Sequence, residues 1–98
     1  MAVWTWDPDK DRANRAKHQG LGLVACAVVL ASRHAASRPH PHLVGDRWMT
    51  VGTAAGIAVL VVIHTAPTLE ADGLEVGRII SVRKATPRER KAYEQGRF

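Results

Sequence analysis

The chain has 98 residues, 46% of them hydrophobic and 23% charged, which predicts one small folded domain over residues 1–98 and excludes a disordered tail. The formal net charge of +5 at pH 7 favours an anionic partner, which is nucleic acid, a membrane surface or an acidic protein. The one cysteine, Cys26, excludes a disulfide framework and fits a reducing cytosol.

A strand followed by a helix is predicted at the start of the chain. Residues 2–6 form the strand candidate. Asp7 is a good N-cap residue and Pro8 suits the first helical position, so the helix begins there. We expect it to run to about His18 and to end near Gly20, because glycine adopts the left-handed conformation common at helix ends.

The first predicted helix has polar residues on one face, since Lys10, Asn14 and Lys17 lie at i, i+4 and i+7. A second helix is predicted over residues 23–33. Its residues are apolar at most positions, which indicates burial on more than one side.

A loop and a hairpin are predicted in the middle of the chain. Residues 32–46 contain two prolines that prevent regular structure, so this segment is predicted to be a loop. Residues 47–52 and 57–65 form the two strands of the hairpin, and residues 53–56 form its turn.

The last part of the chain is predicted to be a strand and a capped helix. The strand covers residues 76–84, and the helix covers residues 87–95. Thr86 and Glu89 have the spacing of a capping box, in which each side chain bonds the backbone amide of the other residue. Gly96 ends the helix.

Residues 49–69 contain no Asp, Glu, Lys or Arg and are long enough to span a bilayer. Threonine, glycine, histidine and proline interrupt this stretch, and its most apolar part, residues 57–63, is short and β-branched. That pattern indicates a buried strand, so no membrane association is expected. The first residues lack the pattern of a signal peptide, and a cytoplasmic protein is therefore expected.

Cofactor and metal motifs are missing from the sequence. It has no glycine-rich phosphate loop, no CxxC, no HExxH and no serine nucleophile elbow. His34, His40 and His42 fall in the predicted loop, but no spaced cysteine or carboxylate pair completes a metal site. We therefore expect solvent-exposed loop histidines, and neither a metal nor a cofactor.

Cationic and proton-transferring residues lie on the predicted helices and strands instead. Arginine binds two phosphate oxygens at once, and histidine or lysine transfers protons, as metal-free RNA cleavage requires. The same residues are equally able to form surface ion pairs, for example between Arg83 and Glu89. The candidates are Lys17, His18, Arg47, His64, Arg78, Arg83, Glu89 and Tyr93.

Four segments of the sequence resemble the BrnT family of toxins, in order and in spacing. They are WDPDKDRANRAKH, RWMTVG, VLVVIHT and RIISVRKATPRERKAYEQG, and together they extend from Trp6 to Gly96. The most specific parts are RIISVRKAT with Glu89 and Tyr93, and the N-terminal W-D-x-x-K-x-x-x-N-x-x-K-H pattern.

The resemblance implies an α+β, RelE-like fold, a small and mainly antiparallel β-sheet with helices packed on one face. It also implies the toxin of a bacterial type II toxin–antitoxin system, a ribosome-independent and metal-independent endoribonuclease in the cytoplasm. A BrnA-type antitoxin would neutralise it in a hetero-oligomer, and promoter DNA would be bound only through the antitoxin. The alternative is a catalytically inactive basic subunit that only binds an antitoxin or nucleic acid.

The resemblance places functional roles on the candidate residues. Arg83 and Arg78 would bind phosphate and the charge of the transition state, and Lys17, His18 or His64 would transfer protons. Glu89 would orient an arginine, Tyr93 would stack or pack, and Arg47 is a further functional position. In a regular strand Arg78 and Arg83 face opposite sides, so both serve one site only if the strand twists, bulges or ends between them. Arg83 is the preferred catalytic arginine.

Three departures from the family pattern are present, and the mildest is Asp46 at the family's acidic position before Arg47. Gln19 separates Lys17-His18 from Gly20, whereas glycine directly follows the Lys-His pair in most relatives. The second helix begins with four apolar residues, 23–26, where relatives have aromatic and acidic residues. An apolar exposed side of that helix would contact a partner chain or another copy.

Overall fold

The computed structural model of the chain describes residues 2–18, 22–41, 46–54 and 58–98. Within these ranges six strands and three helices follow one another along the chain. They are β1 (Ala2–Thr5), α1 (Pro8–Lys17), α2 (Ala25–Leu30), β2 (Ala36–Pro39), β3 (Trp48–Ala54), β4 (Ala58–His64), β5 (Thr68–Leu69), β6 (Glu75–Lys84) and α3 (Pro87–Glu94). Part of the predicted hairpin turn, and the predicted end of the first helix at Gly20, lie outside the described residues.

The six strands form one sheet in the order β1-β6-β4-β3-β2, with β5 also paired to β6. All strand pairs are antiparallel except β1 with β6. The predicted α+β fold with a mainly antiparallel sheet is therefore confirmed. Among the helices in the described residues, none has the length and apolar character needed to cross a membrane.

The sheet is covered on both faces, whereas the helices were expected on one. Strand β4 is buried at successive positions from Leu60 to Ile63, the pattern of a strand packed on both sides. Leu60 and Val62 pack with Cys26 and Val29 of α2 on one face. Val61 and Ile63 pack on the other face, with Tyr93 of α3 against them.

The second helix is shorter and more exposed than the sequence predicts. It covers Ala25–Leu30 only, and one face of it is buried in the core. Val24, just before it, is 67% exposed, and Val28 is 55% exposed. The prediction of burial on more than one side is therefore wrong, because α2 lies on the surface of the sheet.

Part of the predicted loop forms an edge strand. Residues Ala36–Pro39 form β2 and pair with β3, from Ala36 opposite Val51 to Pro39 opposite Trp48. Proline is tolerated on an edge strand, where a missing N–H need not interrupt a ladder. The prediction of a loop over residues 32–46 is therefore wrong for β2.

A β-bulge interrupts the pairing of β4 with β6. Ile63 lies opposite Ser81, but the next residue, His64, lies opposite Ile79, so Ile80 is the extra residue. The bulge reverses the alternation of side chains along β6. Arg78 and Arg83 consequently lie on the same face, which is the condition named above for both to serve one site.

Candidate functional site

Helix α1 takes the place of a strand along one edge of β6. The pairing of β1 with β6 ends at Arg78, and beyond it the β6 backbone needs other partners. The amide of Asn14 supplies them. Its Nδ2 donates to the carbonyl of Val82 at 3.0 Å, and the backbone N–H of Val82 donates to its Oδ1 at 3.2 Å. Asn14 is buried, so this pair of bonds fixes α1 against the strand.

The end of α1 and the end of β6 meet around an open cavity. This cavity has a volume of about 370 Å³. It lies just beyond the Asn14 contact, where the last turn of the helix comes beside the strand-to-helix connection that leads into α3. The site is therefore cationic on both sides, and the lining residues are Lys17, His18, Arg83, Lys84 and Thr86.

Arg83 is held by a bidentate ion pair with Glu89. Its two terminal nitrogens donate to the two carboxylate oxygens at 2.6 and 2.9 Å. The Oε1 of Glu89 also accepts the backbone N–H of Thr86 at 2.9 Å, which completes the predicted capping box of α3. Hydrogen bonding to Glu89 raises the pKa of Arg83. Hydrogen bonding from Arg83 lowers the pKa of Glu89 to about 2, so both groups are charged at neutral pH.

His64 lies in the core with a partner on each ring nitrogen. Its Nδ1 is 2.8 Å from the carbonyl oxygen of Thr65. A carbonyl only accepts, so Nδ1 carries the proton and Nε2 accepts from the hydroxyl of Thr50 at 2.6 Å. The hydroxyl of Ser37 then donates to Thr50 at 2.6 Å. Burial lowers the pKa of His64, and the ring acts as a neutral link between strands.

Arg47 and Arg78 lie away from the cavity. Arg78 is five residues from Arg83, about 15 Å along the strand, and its Nη2 is 3.8 Å from the carboxylate of Asp7. Arg47 donates to the carbonyl of Asp46 at 2.8 Å. Of the candidates, the structure brings Lys17, His18 and Arg83 together at the cavity. It leaves Arg47, Arg78 and His64 elsewhere. The functional roles of all the candidate residues stay predictions.

Tyr93 contributes to the site by packing in the core under α3. It packs against the apolar cluster on the α3 face of the sheet, which includes Met49, Val51 and Val61. Because Glu89 lies one helical turn before Tyr93, this packing holds the helix that presents the carboxylate to Arg83. The geometry favours packing over stacking on a substrate.

Two cavity residues, Lys84 and Thr86, were not among the candidates from the sequence. Both lie in the connection from β6 to α3, next to Arg83 in the chain. The capping box was the available signal, since it places the strand end and the helix start side by side. Among the described residues no group of three His, Cys, Asp or Glu side chains is arranged to hold a metal ion. His42, one of the three loop histidines, lies outside the described residues.

Comparison with known proteins agrees with the motifs and with the fold. A family model described as "Ribonuclease toxin, BrnT, of type II toxin-antitoxin system" matches residues 6–89. The crystal structure of the Brucella abortus ribonuclease toxin BrnT superimposes with a TM-score of 0.65 at 28% sequence identity, over 88% of this chain and 99% of that chain. No curated protein sequence matches. The chain belongs to the BrnT family of ribonuclease toxins, which are the toxin components of type II toxin–antitoxin systems.

Proposed function

We propose that the chain is an endoribonuclease whose active site is the cavity between the end of α1 and the end of β6. The observation that carries this proposal is the meeting of Lys17, His18 and Arg83 at one open cavity in a member of a ribonuclease toxin family. The reaction needs neither a metal nor a ribosome in this proposal. A BrnA-type antitoxin neutralises the enzyme by covering the cavity in a hetero-oligomer.

The proposed reaction uses the 2′-hydroxyl of the RNA itself. The 2′-oxygen attacks the adjacent phosphorus, the bond from phosphorus to the 5′-oxygen breaks, and a 2′,3′-cyclic phosphate and a 5′-hydroxyl result. His18 takes the proton of the 2′-hydroxyl, and Lys17 gives a proton to the leaving 5′-oxygen. Arg83 stabilises the negative charge that develops on the phosphate oxygens.

Glu89 is a positioning residue in this scheme. Its two bonds to Arg83 fix the plane of the guanidinium at the wall of the cavity. A guanidinium has five N–H donors, so donors remain for a phosphate while the ion pair is intact.

The same ion pair also supports a second candidate, a basic subunit that binds its partner without cutting RNA. In that case Glu89 neutralises the charge of Arg83, and the remaining cations only contact an acidic surface. An assay of cleavage separates the two candidates.

The test is cleavage of a purified synthetic RNA in EDTA, with wild type, Arg83→Ala and Arg90→Ala. Arg90 is an exposed arginine on α3 that does not line this cavity, so it is the matched control. We expect a loss of about 100-fold or more in rate for Arg83→Ala, little change for Arg90→Ala, and cyclic phosphate ends by mass spectrometry.

Failure of the wild type to cut RNA under these conditions would leave the second candidate. Equal loss in both arginine variants would mean that general positive charge, rather than a phosphate clamp at Arg83, is what matters. Titration of a BrnA-type antitoxin into the same assay tests neutralisation, and cleavage should stop at a fixed molar ratio.

A further inference from the structure

We propose that the cavity at Arg83 continues along α1 as a groove for single-stranded RNA, and that Lys10 binds a phosphate outside the bond that is cut. This inference rests on the proposed ribonuclease function and adds a substrate subsite to it. Lys10 is on the helix face that was identified from its spacing with Asn14 and Lys17, and no catalytic role was expected for it.

A second cavity carries the groove away from Arg83. It has a volume of about 290 Å³ and lies between α1 and the β6 edge beside the bulge. Lys17 and His18 line both cavities, so the two are adjacent and share a wall. The second cavity is lined by Lys10, Ala13, Asn14, Lys17, His18, Ile80 and Ser81.

The acidic residues in and just before α1 have partners other than Lys10. Asp9 pairs with Arg12. Asp11 bonds Arg15 at 2.7 Å and accepts the backbone N–H of Leu23 at 2.7 Å. Asp7, the N-cap residue, lies 3.8 Å from Arg78. Each carboxylate thus has an arginine partner.

Lys10 is exposed, and it has no ion pair with any residue in the described part of the chain. Its ammonium group is therefore available to an anion. Seven residues separate it from Lys17, about 10 Å along the helix axis. A nucleic-acid strand carries more than one phosphate over that length, so the two lysines suit successive parts of one backbone.

The groove is built to contact the backbone of the RNA rather than its bases. Of the described residues that line the two cavities, His18 alone has an aromatic ring. Base recognition on single strands relies largely on stacking platforms, whereas lysine contacts to phosphate carry no sequence information. The subsite at Lys10 should therefore increase affinity for longer RNA without selecting its sequence.

The experiment measures binding separately from cutting. A single-stranded 2′-O-methyl oligonucleotide lacks the attacking hydroxyl, so its dissociation constant is measurable by fluorescence anisotropy over a series of salt concentrations. The proteins are wild type, Lys10→Ala, the charge-retaining Lys10→Arg, and Lys91→Ala. Lys91 is an exposed lysine on α3 that lines neither cavity.

We expect Lys10→Ala to reduce the slope of log affinity against log salt by about 0.7, the value for one phosphate contact on a single strand. Lys10→Arg should keep the wild-type slope, and Lys91→Ala should change it much less. Equal slopes for Lys10→Ala and Lys91→Ala would overturn the subsite. Circular dichroism checks that each variant is folded.

Cleavage of two RNA lengths separates this inference from the proposed function. A dinucleotide has one phosphate and cannot reach the subsite, so Lys10→Ala should leave its kcat/KM unchanged while lowering that of a longer RNA several-fold. A wild type that binds through Lys10 but cuts neither RNA would end the proposed function and keep the subsite. Cleavage of each RNA at the same rate by the wild type and by Lys10→Ala would end the subsite and keep the proposed function.

Discussion

Glu89 joins helix α3 to the end of β6 through one carboxylate. It caps the first turn of α3, it accepts two bonds from Arg83, and it thereby connects the helix to the end of β6. Its side chain is only 19% exposed, so solvent screens the pair less than it screens an ion pair on the open surface.

Replacement of Glu89 by Gln should change the pH dependence of stability. Because the folded-state pKa of Glu89 is lowered to about 2, the ionised carboxylate stabilises the fold above its unfolded pKa. That contribution is lost as the pH falls from about 4.5 towards 2. We expect Glu89→Gln to remove about 1 kcal/mol at pH 7 and less at pH 2.5, measured by urea unfolding.

Glu94→Gln is the control for this experiment. Glu94 is exposed at the end of α3 and has no ion pair with the residues that the structure describes. Its replacement should leave the pH profile as in the wild type. A parallel profile for Glu89→Gln and the wild type would mean that the ion pair contributes nothing to stability.

The contact between Arg83 and Glu89 was predictable from the sequence, but the surroundings of His64 were not. Arg83 and Glu89 are six apart across a strand-to-helix connection, so their contact followed from spacing. From the sequence, His64 at the end of a strand was as good a candidate for proton transfer as Lys17 or His18. Its role depends on Thr50 of the neighbouring strand, which bonds its ring, and no spacing rule reveals that partner.

At the scale of elements, the geometry of the candidate site depends on the contact between α1 and β6. Helix α1 is short and highly charged, and little of its own surface is apolar. Its attachment therefore relies on Asn14, whose amide imitates a neighbouring strand for Val82.

Asn14→Ala should lower both stability and activity. Two buried backbone groups of Val82 lose their partners, which costs about 1–3 kcal/mol, and α1 loses its fixed position beside Arg83. Urea unfolding measures the first effect, and kcat/KM for RNA under fully folded conditions measures the second. Asn14→Asp keeps an acceptor but places a carboxylate oxygen against the carbonyl of Val82 at a buried position, so it should be at least as destabilising as Asn14→Ala. Wild-type stability and kcat/KM for Asn14→Ala would show that Asn14 does not fix α1 against β6.

The sequence predicted most elements but not how they meet. The hairpin of β3 and β4, the strand β6 and the capped helix α3 follow from apolar, β-branched segments and capping residues. The bulge does not, because Ile79 and Ile80 are both apolar and either suits a buried position. Only the partner strand decides that Ile80 is the extra residue, and this decision places Arg78 on the face of Arg83.

At the scale of the whole molecule, the two faces of the sheet have separate cores. Cys26 lies in the core on the α2 face with no exposed surface. Burial raises the pKa of its thiol to about 12. Its reactivity therefore reports on how tightly this core is closed.

Thiol labelling of Cys26 should be slow in the native protein. We expect a rate at pH 8 more than about a thousandfold below that of the unfolded chain, because labelling requires opening of the core. Measurement with a chromogenic disulfide reagent, with and without urea, gives both rates. Labelling at nearly the unfolded rate without urea would show that α2 opens independently of the sheet.

The pairing of β1 with β6 has a consequence for how the protein is made. Val3 lies beside Val76, so β1 gains its neighbour only after the residues up to β6 have been synthesised. Lys17 and His18 leave the translation machinery early, whereas Arg83 and Glu89 follow β6. A nascent chain thus has only the α1 half of the groove, and the edge that Asn14 joins does not yet exist. The proposed site is therefore assembled only after β6 has been synthesised.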